Sequence, residues 1–158
     1  MNEAQARQWI DRYADLILRI SYSYFHTTCD GEDICQTVFL RYIRQEKPFR
    51  DAEHEKAWII RTTVNICKDI LKSAWRRTSV PLEEADFVET MPPDTEDLRR
   101  ALGALPPKTR LAIYLHYYEG YTAKEIGGFL HKSDNAVRPG QQELIFQIIT
   151  PEVISHIL

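Results

Sequence analysis

The chain has 158 residues and a net charge of −3. It is long enough for one good core or two small ones, and the charge excludes a protein coated in basic residues. No run of about twenty apolar residues occurs, so no membrane insertion is expected. The polar, acidic start from Asn2 on does not read as a signal peptide. Cys29, Cys35 and Cys67 are odd in number and lack metal-ligand spacing, so they are expected to be reduced and structural, which fits a cytoplasmic chain.

Residues 3–26 are predicted to form a first helix, because Trp9, Ile10, Tyr13, Ile17, Ile20 and Tyr24 recur at helical spacing. Asp30 is a candidate cap for a second helix, with Glu32 and Asp33 near its positive end. That helix carries Ile34, Val38, Leu40 and Ile43 as its apolar set and stops before Pro48.

A long helix is predicted from Glu55 to Arg77, with two different faces. Ile60, Val64, Cys67, Leu71 and Ala74 recur at spacings of three and four and line one side. Arg61, Asn65, Lys68, Lys72 and Arg76 recur in the same way and line another. Residues 54–78 hold six cations, Arg77 among them, against Glu55 and Asp69, a net +4. Such a face suits a long polyanion such as DNA. Taken singly, each cation reads equally well as a solvated surface residue.

Residues 79–97 carry seven acids and no Lys or Arg, a net −7. With Pro81, Pro92 and Pro93 and no sustained period, residues 79–95 read as an acidic linker. A short helix from Asp97 to Leu105 is predicted next, ended by Pro106 and Pro107. Lys108 to Glu119 follows, with Leu111, Ile113, Leu115 and Tyr118 apolar and Gly120 at the stop. Thr122-Ala-Lys-Glu125 matches a capping box, and Tyr121 and Ile126 are placed as a hydrophobic staple, so a helix is predicted over residues 123–130. Ser133 caps a further start at Asp134. The pattern is that of a helix-turn-helix, and spacing alone leaves an ordinary helical hairpin equally open.

Two sets of motifs carry a resemblance. Asp33-Ile-Cys-Gln36-Thr-Val-Phe39-Leu-Arg41, Phe49-Arg50 and Ala57-Trp58-Ile-Ile-Arg61-Thr-Thr-Val-Asn65 resemble region 2 of bacterial extracytoplasmic-function (ECF) sigma factors. Leu105-Pro106-Pro-Lys-Thr-Arg110, His116-Tyr-Tyr-Glu119-Gly120-Tyr121, Lys124-Glu125-Ile126 and Asn135-Ala-Val137 resemble their region 4. The likeness spans roughly residues 10–138, and its strength lies in several motifs standing in the right order around an acidic linker.

The resemblance implies an all-α chain of two small helical domains. Region 2 is expected at residues 1–78, the linker at 79–95 and region 4 at 96–158. It implies a stress- or envelope-responsive initiation factor that brings core RNA polymerase to promoter DNA, with an anti-sigma factor as a further partner. Asp33, Gln36, Phe39 and Arg41 match the polymerase-binding positions. An acid, an amide and an arginine there can share one exposed face, while Asp33 can also compensate the helix dipole and Phe39 also reads as core. The family usually has an acid where Thr37 stands.

The long helix corresponds to the segment that opens the −10 element. Asn65 matches the position beside the captured base, and its amide offers both donor and acceptor; the other reading is a solvated mid-helix asparagine. Arg61, Lys68, Lys72, Arg76 and Arg77 suit phosphates. Trp58 and Trp75 read better as core than as stacking platforms. Lys132, Asn135 and Arg138 are the region 4 candidates for DNA contact.

The sequence departs from the family after Arg138. Pro139 and Gly140 fall inside the expected reading helix, where a proline costs roughly 3 kcal/mol. Residues 144–158 are then mostly apolar. The helix breaks and resumes, or the apolar tail binds a partner, or the reading frame changes beyond Arg138. A sigma-like regulatory module with impaired −35 binding is therefore the alternative function. No enzyme is expected: the five histidines lack a carboxylate or serine partner at meaningful spacing, and no phosphate loop, cofactor or metal is implied.

Overall fold

The computed structural model describes residues 1–25, 28–77 and 105–130, with residues 28, 29 and 74–77 described as backbone alone. Every regular element among the described residues is helical. The chain divides into two compact units, Met1–Glu83 and Glu84–Leu158.

The first unit is built on α1 (Glu3–Phe25), α2 (Thr28–Ile43) and α3 (Ala52–Arg77). Asn2 starts α1 by exchanging hydrogen bonds with Gln5: the Gln5 N–H donates to Asn2 Oδ1 at 2.8 Å, and the Asn2 N–H to Gln5 Oε1 at 2.9 Å. Trp9, Tyr13, Leu16, Ile17 and Ile20 form its buried stripe. From Ile20 to Phe25 every side chain is buried, so this end of α1 is enclosed all round rather than along one face. Ser21 and Ser23 tolerate that enclosure because their hydroxyls donate to the carbonyls of Ile17 and Arg19, at 2.8 and 3.1 Å. Gly31 of α2 lets that helix approach closely: a Cβ there would lie 2.9 Å from Leu18 Cδ2.

The long helix α3 starts three residues before its predicted beginning. Asp51 is its cap, accepting the His54 N–H on Oδ1 at 2.7 Å, while His54 Nδ1 accepts the Arg50 N–H at 3.1 Å. His54 therefore reaches the N–H of the residue before the cap, one position further back than the N–H that a capping box engages. Ile59, Ile60, Thr63, Val64, Ile66 and Cys67 are all buried, a wider face than the predicted stripe. Leu71 is half-buried, and the Ala74 side chain lies outside the described residues. Thr63 is accommodated by donating to the Ile59 carbonyl at 2.7 Å. Each aliphatic side chain so buried contributes about 1.5–3 kcal/mol.

The second unit shows α4 (Pro107–Tyr117) and α5 (Ala123–Leu130). Pro107 opens α4 at its first position, where its missing N–H costs nothing. Leu111, Ala112 and Leu115 are buried there, and so is Arg110. The turn after α4 uses Gly120 at φ 79°, the left-handed region in which a Cβ is strained. The Gly120 N–H donates to the His116 carbonyl and the Tyr121 N–H to that of Leu115. His116 Nδ1–H donates to the Tyr121 carbonyl at 2.8 Å, which fixes the imidazole tautomer.

The capping box of α5 forms in both halves: the Glu125 N–H donates to Thr122 Oγ1 at 3.2 Å, and the Thr122 N–H to Glu125 Oε2 at 2.9 Å. Tyr121 and Ile126 are both buried, and the Tyr121 ring meets Phe129 edge-on at 5.0 Å.

Several expectations are corrected. Asp30 is not a cap: α2 begins two residues earlier and Asp30 lies in its first turn. Ile10 on α1, Leu40 and Ile43 on α2 and Tyr118 after α4 are exposed rather than core. They share the period of the buried residues without a neighbouring element to cover them. The acidic linker, the predicted helix at 97–105 and everything after Leu130 lie outside the described residues, apart from Leu105 itself, which is non-helical.

Candidate functional site

Three surfaces of the first unit matter. One is the polar face of α3. Arg61 and Lys72 are exposed there, and Asn65 and Lys68 are half-buried. Spacings of four, three and four place them along one side of a single rigid helix. The side chains of Trp75, Arg76 and Arg77 lie outside the described residues.

Asn65 differs from a solvated surface asparagine. Its Oδ1 is buried and accepts no hydrogen bond. A buried acceptor left unmet costs about 1–3 kcal/mol, so the carboxamide is an uncompensated polar group next to a cationic surface. A turn of the amide removes that cost.

The face of α2 is a second surface. Asp33 and Gln36 are exposed, as the sequence suggested. Asp33 is in the second turn of the helix, beyond the reach of strong dipole compensation, so that reading of its charge weakens. Leu40 and Ile43, each 47% exposed, continue the same side at positions seven and ten after Asp33. Two amphiphilic turns of polar and then apolar groups therefore lie open to solvent. Leu40 and Ile43 share the period of the core, so spacing alone does not mark them as exposed. Phe39 is half-buried, its ring 5.0 Å from that of Trp9, so it packs as well as faces outward. Arg41, eight residues after Asp33, is exposed about 80° around α2 from it and away from Gln36, so the one face expected for the acid, the amide and the arginine does not form.

An aromatic junction forms the third surface, which residue spacing does not signal. Trp9 of α1 meets Tyr42 at 5.5 Å; Tyr42 stacks on Phe49 at 5.9 Å and meets Trp58 at 6.3 Å. Phe49 in turn meets His54 at 5.4 Å and Trp58 at 5.7 Å. Trp58 is thus a packing residue of the α2–α3 corner. The Tyr42 hydroxyl donates to Glu55 Oε1 at 2.5 Å. Burial, reinforced by the Glu55 carboxylate, pushes the Tyr42 phenol up to about 12 and raises Tyr13 as well. Ile43 edges an open recess beside this corner, lined also by Met1, Lys47 and Pro48.

Cys35 and Cys67 are free thiols, and Cys29 lies outside the described side chains. Burial pushes Cys67 up to about 12 and raises Cys35, so neither is a poised nucleophile. Among the described residues no group of His, Cys, Asp and Glu could hold a metal ion, and no helix is long and apolar enough to cross a membrane.

In the second unit, α5 occupies the place of the first helix of the expected helix-turn-helix. Lys132, Asn135 and Arg138 lie outside the described residues.

Comparison with known proteins follows the same division. The family model for Sigma-70 region 2 matches residues 9–77, and that for Sigma-70, region 4 matches residues 95–138. The second match ends at Arg138, immediately before Pro139. The ECF RNA polymerase sigma factor SigE of Mycolicibacterium smegmatis is 30% identical over 85% of this chain and 58% of its own length. The ECF RNA polymerase sigma factor SigM of Mycobacterium tuberculosis is 28% identical over 81% of this chain and 71% of its own. The RNA polymerase sigma-H factor of Pseudomonas aeruginosa is 25% identical over 80% of this chain and 75% of its own. The chain thus spans less than two thirds of the SigE it resembles. No solved structure matches it significantly.

Proposed function

The chain belongs to the ECF group of the sigma-70 family, and from that premise we propose that it is a non-catalytic initiation factor that brings core RNA polymerase to promoters and helps to open them. The observation that carries this reading is the pairing of two faces on one three-helix unit: an exposed polar-apolar side of α2 and a cationic side of α3. A factor that holds an enzyme while prising DNA apart needs both, fixed relative to each other.

Asp33, Gln36 and Arg41 are the proposed polymerase contacts, with Phe39 at their edge and Leu40 and Ile43 added as apolar anchors. Arg61, Lys68, Lys72, Arg76 and Arg77 are the proposed phosphate contacts. Asn65 is the proposed base reader. Its half-buried place between Arg61 and Lys68 on that side supports the role, because its amide can both donate to and accept from the Watson–Crick edge of an unstacked base. Lys132, Asn135 and Arg138 are proposed to contact DNA upstream, in a region 4 domain at residues 96–158. The region 2 domain is proposed at residues 1–78 and the acidic linker at 79–95. The protein is proposed to work in the cytoplasm, under an anti-sigma factor and in response to envelope or other stress.

Transcription with purified core polymerase on a library of promoter fragments tests this reading. Promoter-dependent transcripts that require the chain are expected. Tight polymerase binding without transcripts would instead favour the sigma-like regulatory module.

A further inference from the structure

Glu55 is a half-buried carboxylate in the first turn of α3, set among aromatic rings. Placing a carboxylate there carries a desolvation cost that a leucine or phenylalanine would not. Its position near the helix N-terminus offsets part of that cost. The remainder is met by a phenol from α2. Tyr42 in the last turn of α2 donates to it at 2.5 Å. The Tyr13 hydroxyl of α1 lies beside the same carboxylate, and the Arg12 guanidinium sits 5.9 Å over the Tyr13 ring. Three helices therefore meet at one anion.

A hydrogen bond to a carboxylate is directional where an apolar contact is not. The helix α3 is rigid, so its rotation at Glu55 is carried to Asn65, ten residues and about 15 Å along the axis. Tyr42 stands between Leu40 and Ile43 in sequence, so the same bond is referenced to the exposed side of α2.

We propose that Glu55 is a positioning residue: by accepting the Tyr42 hydroxyl it sets the rotation of α3, and hence the direction of the Arg61–Asn65–Lys72 face, relative to the exposed side of α2. This rests on the functional reading above for its consequence, which is that Glu55 governs promoter opening without touching DNA or polymerase.

The test uses the full chain with core polymerase and the variants Glu55→Leu, Glu55→Gln and Tyr42→Phe. Polymerase affinity and the rate of promoter opening are measured for each. Glu55→Leu and Tyr42→Phe are each expected to slow opening about tenfold, the scale of one charge-assisted hydrogen bond, at unchanged polymerase affinity. The double variant should be no slower than either single one, and Glu55→Gln, which keeps an acceptor, should recover most of the rate. Opening within about twofold of wild type in Glu55→Leu would overturn the proposal, as would equal losses in opening and affinity. Spin labels at Gln36 and Lys72 of the free chain give a second readout. Their distance distribution should broaden in Glu55→Leu, and an unchanged distribution would overturn the proposal. A wild-type chain that opens no promoter would refute the functional reading instead, while the label distances still decide what Glu55 does.

Discussion

The Tyr42 hydroxyl donates to Glu55 at 2.5 Å, and this one bond joins the end of α2 to the beginning of α3. It also makes the first unit sensitive to alkali. Burial and the neighbouring carboxylate raise the Tyr42 phenol from its model-peptide value of 10.0 to about 12, so the protonated form is the one that the fold favours. Stability from this group is complete below pH 10 and is lost as pH rises through 12. Cys67, raised by burial from 9.0 to about 12, acts in the same direction from pH 9 upward. Thermal melts between pH 8 and 12 should therefore show a falling melting temperature, and Tyr42→Phe should flatten the part of the fall above pH 10. A variant curve parallel to that of wild type would remove Tyr42 from the account.

Lys68 and Lys72 are proposed phosphate contacts, so changing both to Ala should reduce the salt slope of promoter binding by about 1.5–2. Binding measured from low to high salt gives the slope directly. An unchanged slope would mean that this side of α3 does not meet DNA.

Leu40 is exposed, so Leu40→Asp should leave the melting temperature close to that of wild type. On the proposed polymerase-facing side it should weaken core polymerase binding by more than about 1.4 kcal/mol, or tenfold. A loss of both stability and binding would return Leu40 to a packing role.

In the second unit, Thr122→Ala removes half of a formed capping box and should cost about 1 kcal/mol of stability. Ile60→Ala in the first unit empties a fully buried position and should cost about 2–5 kcal/mol. Calorimetry on both variants checks the ranking, and a larger loss at Thr122 would contradict it.

Much of this was legible in the chain. Thr122 and Glu125 announced α5 because a capping box is local chemistry, complete within four residues. Ile60, Val64 and Cys67 announced the buried side of α3 through period alone. Leu40 and Ile43 misled because period says which residues share a side, not whether anything covers it. Asp51 carries no capping-box signature, because the residue three after it is His54 rather than Glu or Gln. The Tyr42–Glu55 bond was beyond reach, since it joins residues 13 apart across a corner whose shape is set by packing.

One three-helix unit is proposed both to bind polymerase and to open DNA, with Asn65 reading an unstacked base. Permanganate reactivity of unpaired thymines around the −10 element, in complexes of core polymerase with the chain, tests it most directly. Reactive thymines are expected with wild type and strongly reduced reactivity with Asn65→Ala, at equal polymerase affinity. A polymerase-bound complex whose thymines stay protected with the wild-type chain would contradict it.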